Sequence, residues 1–433
     1  MRQSLLRVAG FGLVAGLTLG GCTGGGTDRP AGPVTITATP RTALMDVPVR
    51  TTVSGLRPGS AVTLTAEATD RKGIPWSSTA DFVAGADGTV SLAQAPARGS
   101  WSGAHPMGLL TTMTPQRPTG NTFYLPDGVT YRVTLQASQD GRQVATTTLV
   151  RQTTAAAGVH GEPLSPNSGL HGTLFLPADT SRRRPAVLAF GGSEGGAGTD
   201  FSAGMLAAHG YPVLSLAYFH ASGVPAELER IPLEYFARAA ALLARQPGVD
   251  PRHVLAWGGS RGSEAALLLG VHYPGLVSGA IATSPSDHVS GGLPDSTIPA
   301  WTLHGAPLPF GGPADFNTPG APGTPASVIP VERLAGPVFT VCGVEDLIWA
   351  SCPFAAAIAR RRGAQGTRFG DVHLTYSHAG HFVDSLDPYD SSTALDGRTA
   401  TGRVLQSGGT IVDNAEDEGA ARTRLLAFLA ALR

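Results

Sequence analysis

The stretch His253 to Gly270 reads HVLAWGGSRGSEAALLLG: an apolar run, a glycine pair, Ser260, a further glycine, then alanine and leucine. Gly258-Gly259-Ser260-Arg261-Gly262 fits GxSxG with a strand expected before it and a helix after it, the setting in which the pattern marks a nucleophile. The turn must be sharp, and glycines on either side let helix and strand approach while the serine Oγ projects. A serine hydroxyl attacks poorly until a base takes its proton, and the base must be held by an acid. Downstream, GPVFTVCGVEDLIW offers Glu345 and Asp346, and YSHAGHF offers His378 and His381, which gives the order Ser, acid, His. Asp346 is taken as the orienting acid and His381 as the base, because each falls just past a strand end. Glu345 is the second candidate acid and Asp287, in TSPSDH, the third. His378 reads as a loop histidine bonded to backbone.

Acyl chemistry of this kind also needs two N–H donors for the tetrahedral oxyanion, each worth about 3 kcal/mol of barrier. The backbone N–H of Arg261 is one candidate, and the loop in LAFGGSEGGAG supplies the other from Gly192 or Ser193. The same glycines do not complete GxGxxG, and Glu194 stands where a nucleotide's phosphate would be, so nucleotide binding is not expected. Arg261 could instead clamp a substrate anion through its guanidinium. Asp384, Asp387 and Asp390 lack the glycine turn of a calcium loop and read as solvated acids. His105 reads as a loop residue. Lys72 is the only lysine, in a polar turn, which excludes a phosphate-cradling GKS/T loop and Schiff-base catalysis. No cofactor or metal is implied.

These residues need a scaffold. After residue 155 the runs GTLFLP, RPAVLAFGG, YPVLSLAYF, HVLAWGG, VSGAIATSP and GPVFTVCG suit strands buried on both faces, and helical stretches such as DFSAGMLAAHG, LEYFARAAALLARQP, SEAALLLGVHYP and CPFAAAIARRRG separate them. Strand alternating with helix predicts a mostly parallel sheet with helices on both faces, and such sheets place ligands at the carboxyl ends of their strands. From Val34 onward the runs VTITATP, AVTLTAEATD and YRVTLQAS alternate with period two between turns such as LRPGS and QDGR, which predicts a β-sandwich. The expected organisation is residues 1–21 signal, 22–33 tether, 34–155 β-sandwich and 156–433 catalytic domain.

The 433 residues carry a formal charge of -1, which leaves no field to gather nucleic acid. MRQSLLRVAGFGLVAGLTLGGC has arginines ahead of an apolar stretch short for a membrane span, as in an export signal. Its end resembles the lipobox of bacterial lipoproteins, which would make Cys22 a lipidated membrane anchor on the outer face of the cytoplasmic membrane. Cys342 and Cys352 would then share an oxidising compartment. They can pair, or Cys342 can be a buried thiol, and spacing does not decide.

GGSEGGAG, LAYFHASGVPAELERIPLEYFARAAALL, WGGSRGSEAALLLG, WTLHGAPLPF, VERLAGPVFTVCGVEDLIWAS, YSHAGHF and, earlier, SGAHPMGLL together resemble the acyl-CoA thioesterases related to bile acid-CoA:amino acid N-acyltransferase. The resemblance implies an α/β-hydrolase domain behind a β domain and a Ser260, Asp346, His381 triad acting on an acyl thioester or ester. Serine in the nucleophile position is similar to the hydrolytic branch. Two alternatives stand beside hydrolysis: acyl transfer to an amine or envelope lipid, and an inert surface binding protein. Nothing in the sequence fixes the oligomeric state.

Overall fold

The structure is a computed structural model, and it describes residues 32–117, 124–311, 325–366, 369–386 and 396–432. Cys22, Asp387 and Asp390 lie outside the described residues, as does the Asp384 side chain.

One sheet of eight strands organises the second half of the chain. Its strands are β1 (Gly161–Pro163), β2 (His171–Phe175), β3 (Arg184–Phe190), β4 (Val213–Ala217), β5 (Val249–Gly259), β6 (Gly279–Thr283), β7 (Val338–Gly343) and β8 (Val372–Tyr376). They lie in the order β1-β2-β4-β3-β5-β6-β7-β8. The first two pair antiparallel, and β2 is antiparallel to β4; every later neighbour is parallel. This mixed sheet, doubly covered by helices, is the α/β-hydrolase arrangement.

The side chains of β3 explain the double cover. Ala186, Leu188 and Phe190 join one core with α2 (Leu233–Leu243), α3 (Arg261–His272) and Ile358 of α4 (Ser351–Ala364). Val187 and Ala189, pointing the other way, join a second core with α1 (Asp200–Ala208) and α5 (Ile411–Ala431). Period-two alternation thus splits one apolar run between two cores, which is why the run Ala186–Phe190 is apolar on both faces. The helix α5 and the edge strand β1 are elements that the sequence pattern did not announce. The N-terminus of α5 is nonetheless marked by a capping pair, with Asp413 N–H donating to Thr410 Oγ1 at 3.1 Å and Thr410 Oγ1 to Asp413 Oδ2 at 2.6 Å.

The first part of the described chain is β structure. Ala61–Thr69, Pro75–Val83, Thr130–Gln139 and Arg142–Gln152 form the antiparallel centre of one sheet, with Thr42–Leu44 added in parallel at its edge. Thr35–Thr39, Arg50–Ser54 and Val90–Ser91 form a second, three-stranded sheet. The expected QDGR turn is a tight hairpin in which Asp140 and Gly141 both take positive φ, 50° and 72°.

Both sheets contribute to a single core, which also takes in Met205 of α1 and Val412 of α5. Asp46 seals that junction. Its carboxylate meets His209 Nε2 at 2.6 Å and Arg422 Nε at 3.4 Å. Burial opposes ionisation of Asp46, but the bond from His209 and the charge of Arg422 outweigh it and hold the carboxyl below its usual pKa. His105, expected in a loop, bridges the same junction through Glu416 at 3.0 Å.

Candidate active site

Ser260 follows β5 directly and heads α3, with φ 51° and ψ -123°. Positive φ at a residue bearing a side chain is strained, and here it throws the serine out of the strand line. Glycine is compulsory on both sides. A Cβ at Gly258 would strike the carbonyl of Gly262, and one at Gly262 would strike the carbonyl of Gly191. The helix N-terminus adds a positive potential beside the hydroxyl.

His381 begins a short turn after β8, and Asp346 lies in the loop after β7. His381 Nδ1 is 2.8 Å from Asp346 Oδ2, with side chains only 3% and 2% exposed. The other carboxylate oxygen accepts the N–H groups of Ile348 at 2.9 Å and Trp349 at 3.1 Å. Asp346 is therefore fixed at both oxygens, and the imidazole is fixed through it. Ser260 N–H donates to Thr283 O at 2.9 Å, while Ser284 Oγ donates to His381 O at 2.6 Å. Consecutive residues at the carboxyl end of β6 thus tether both the serine and the histidine. Ser284 is itself at φ 41°.

The other candidates are placed elsewhere. Glu345 faces His378 at 3.4 Å in a pair that is 49% and 68% exposed, so the second acid and second histidine meet each other at the surface. His378, expected to bond backbone, has a carboxylate partner instead. Asp287 is held by Arg361 at 3.3 Å and by His288 at 3.3 Å, and the carboxylate on His381 is that of Asp346. The Arg261 guanidinium is buried against Glu264, Nε to Oε1 2.9 Å, and donates to the carbonyls of Ser290 and Gly291. It is a structural pair, so what Arg261 can offer a substrate is its backbone N–H.

The loop after β3 carries an arrangement that spacing alone could not give. Gly192, read as an oxyanion donor, has its N–H 2.9 Å from both oxygens of Glu194. Residue 194 as a whole is open to solvent, but its carboxylate end folds back under the loop beside Gly191 and Gly198. Burial of that head pushes its pKa up. Ser193 accepts Ala400 N–H through its carbonyl at 2.9 Å.

Cys342 and Cys352 are bonded to each other, 5.1 Å apart at Cα, which settles the question their spacing left open. Trp349 and Ser407 are neighbours of His381 that the sequence does not flag. The Trp349 ring meets the His381 ring edge-on at 5.6 Å while its indole N–H donates to Ser284 O at 3.0 Å. Ser407 O accepts His381 N–H at 2.8 Å.

Residues 46–165 match the family described as acyl-CoA thioester hydrolase/BAAT N-terminal region, and residues 315–431 its C-terminal counterpart. Human acyl-coenzyme A thioesterase 1 is 30% identical over 352 residues, spanning 78% of this chain and 83% of that protein. The chain belongs to the acyl-CoA thioester hydrolase/BAAT family. Mouse mitochondrial acyl-coenzyme A thioesterase 2 is similar at 29% identity over 84% of this chain and 82% of its own. A solved esterase from Pyrobaculum calidifontis is 16% identical with TM-score 0.37, covering 61% of this chain and 79% of that one, a likeness that adds nothing to the strand order. As a member of this family the protein is an acyl hydrolase, a thioester or ester hydrolase, which sets aside the inert binding protein.

Proposed function

We propose that this hydrolase cleaves an acyl thioester or ester through Ser260, His381 and Asp346, by way of an acyl-enzyme. The observation that carries the reading is the buried 2.8 Å bond between His381 and Asp346, tethered to the same strand end as the strained Ser260. Ser260 Oγ attacks the acyl carbonyl as His381 Nε2 takes its proton. Asp346 keeps the Nδ1–H tautomer and stabilises the imidazolium. The oxyanion is taken by the N–H groups of Arg261 and Ser193, because that of Gly192 is engaged by Glu194. His381 then passes its proton to the leaving thiolate or alkoxide. Water, activated by the same imidazole, releases the acid.

A panel of acyl-CoA and p-nitrophenyl esters of graded chain length, with Ser260→Ala as control, tests this. The serine variant should lose turnover and labelling by a fluorophosphonate while keeping its Tm; a variant that still turns over removes the nucleophile. Both matching family descriptions also name BAAT, which motivates acyl transfer as a competing reading. If free acid is the sole product in the presence of amines and alcohols, transfer is out.

We read residues 34–155 as a sandwich, supported by two sheets sharing one core. Export with lipidation at Cys22 is supported by the Cys342–Cys352 bond, since such bonds persist in oxidising compartments. Palmitate labelling that survives Cys22→Ala would contradict the anchor.

A further inference from the structure

The loop after β3 is gripped on two sides. Tyr218, directly after β4, has its hydroxyl 3.0 Å from Gly191 O and 2.9 Å from Gly192 O, so its one proton serves two successive carbonyls. The ring is 1% exposed and packed among Phe190, Phe219, Phe236 and Trp301 at centroid distances of 6.0, 5.0, 5.1 and 5.8 Å. It cannot turn away. Burial, reinforced by the nearby Glu194 carboxylate, pushes the phenol's pKa far up and keeps it a donor.

A peptide unit is planar, with its N–H opposed to its C=O. Since the carbonyls of Gly191 and Gly192 both face Tyr218, the N–H groups of Gly192 and Ser193 leave the loop on the other side. Glu194 takes the first of these with both oxygens. The loop also touches the nucleophile: a Cβ on Gly192 would come within 2.9 Å of Ser260 Cβ. A rotation of the Gly192–Ser193 peptide would therefore re-aim the Ser193 N–H relative to Ser260.

We propose that Tyr218 and Glu194 are positioning residues which clamp this loop, from its carbonyl side and its N–H side, so that Ser193 N–H meets the oxyanion formed at Ser260. The proposal rests on the reading of Ser260 as nucleophile and Ser193 as donor. Neither clamp touches the reacting atoms; each acts through the loop. Tyr218→Phe keeps the ring in its aromatic cage and removes only the hydroxyl. Glu194→Gln keeps an oxygen able to accept Gly192 N–H, and Glu194→Ala does not.

The test uses the purified protein with a p-nitrophenyl ester, and a trifluoromethyl ketone that forms an anionic adduct on an active serine. Tyr218→Phe and Glu194→Ala should each lower kcat about tenfold or more with KM within about twofold, a fraction of the 10²- to 10³-fold cost of deleting a donor. Affinity for the ketone should fall by the same factor while Tm stays within a few degrees. Glu194→Gln should recover most of the rate. A wild-type kcat in Tyr218→Phe, a Glu194→Ala enzyme faster than wild type, or ketone affinity moving independently of kcat would each overturn the clamp. Ser260→Ala, run alongside, separates the two failures. If it is active, the nucleophile assignment falls and the clamp with it; if it is inert while the clamp variants behave as wild type, the clamp alone falls.

Discussion

Cys342, the penultimate residue of β7, is bonded to Cys352 in the first turn of α4, and the short loop they close holds Asp346. The carboxylate bonded to His381 is thus carried on a segment pinned at both ends. Trp349 lies inside the same loop and touches Asp346, Ser284 and the His381 ring.

Opening that bond should loosen the acid before it unfolds the sheet. A loop of this length corresponds to about 2–3 kcal/mol of stabilisation from restricting the unfolded chain. Reduction, or the double variant Cys342→Ala with Cys352→Ala, should lower Tm and also lower kcat, because Asp346 gains freedom to leave Nδ1. Thermal scans and initial rates with and without a phosphine reductant check both. Unchanged rates after complete reduction would show that the backbone donors of Ile348 and Trp349 suffice to hold the carboxylate.

Asp346 and Glu345 are neighbours in sequence with opposite environments, which makes a paired comparison decisive. Asp346→Asn can keep an oxygen for the Ile348 and Trp349 N–H groups but presents an amide to His381, favouring the wrong tautomer. The expected loss in kcat is about 10³- to 10⁴-fold. Glu345→Gln, at an exposed pair with His378, should change kcat by less than about twofold. Reversed outcomes would hand the orienting role to the surface acid.

How much of this was legible depends on the range of the interaction. The turn at Ser260 is local: two glycines, one serine and the apolar runs beside them encode a strand, a bend and a helix within a few residues. Asp346 and His381 were legible by chain order, since the sheet brings successive strand ends together. Tyr218, Trp349 and Ser407 were not. Each acts through a contact that exists only after folding, such as Ser407 O accepting His381 N–H, and no local pattern distinguishes them from ordinary core or loop residues. Glu194 is visible in the sequence as an acid within the glycine loop, but its bond to Gly192, which removes one expected donor, depends on the side chain folding back under its own loop. The helix α5 mixes charged and apolar residues without a narrow stripe, because it lies between the sheet and the N-terminal core.

That junction yields a stability prediction. Asp46 is 5% exposed and Arg422 3% exposed, so Asp46→Ala removes a buried carboxylate from beside the Arg422 guanidinium and the His209 ring. The expected cost is about 3–5 kcal/mol. Since the folded carboxyl titrates below its unfolded value, its contribution is present above the ordinary aspartate pKa of about 4 and is lost as pH falls through the lower folded value. Wild type and Asp46→Ala should therefore differ in urea midpoint at pH 7 and converge in strong acid. A constant gap across that range would assign the cost to packing rather than to charge.

Asp417 on α5 predicts the opposite sign. Burial first, then the charges of Asp413 and Glu416, push its pKa up to about 6, opposed more weakly by His378 and His105. A carboxyl that binds its proton more tightly folded than unfolded favours the folded state in acid, and that contribution is lost as pH rises from about 4 through about 6. At pH 7.5 the ionised group works against folding, so Asp417→Asn should raise Tm by a few degrees. Near pH 3 the two proteins should melt together, because both then carry a neutral side chain. Melting curves at the two pH values decide it: an asparagine variant that is no more stable than wild type at pH 7.5 would mean that solvent already screens the acids along this helix.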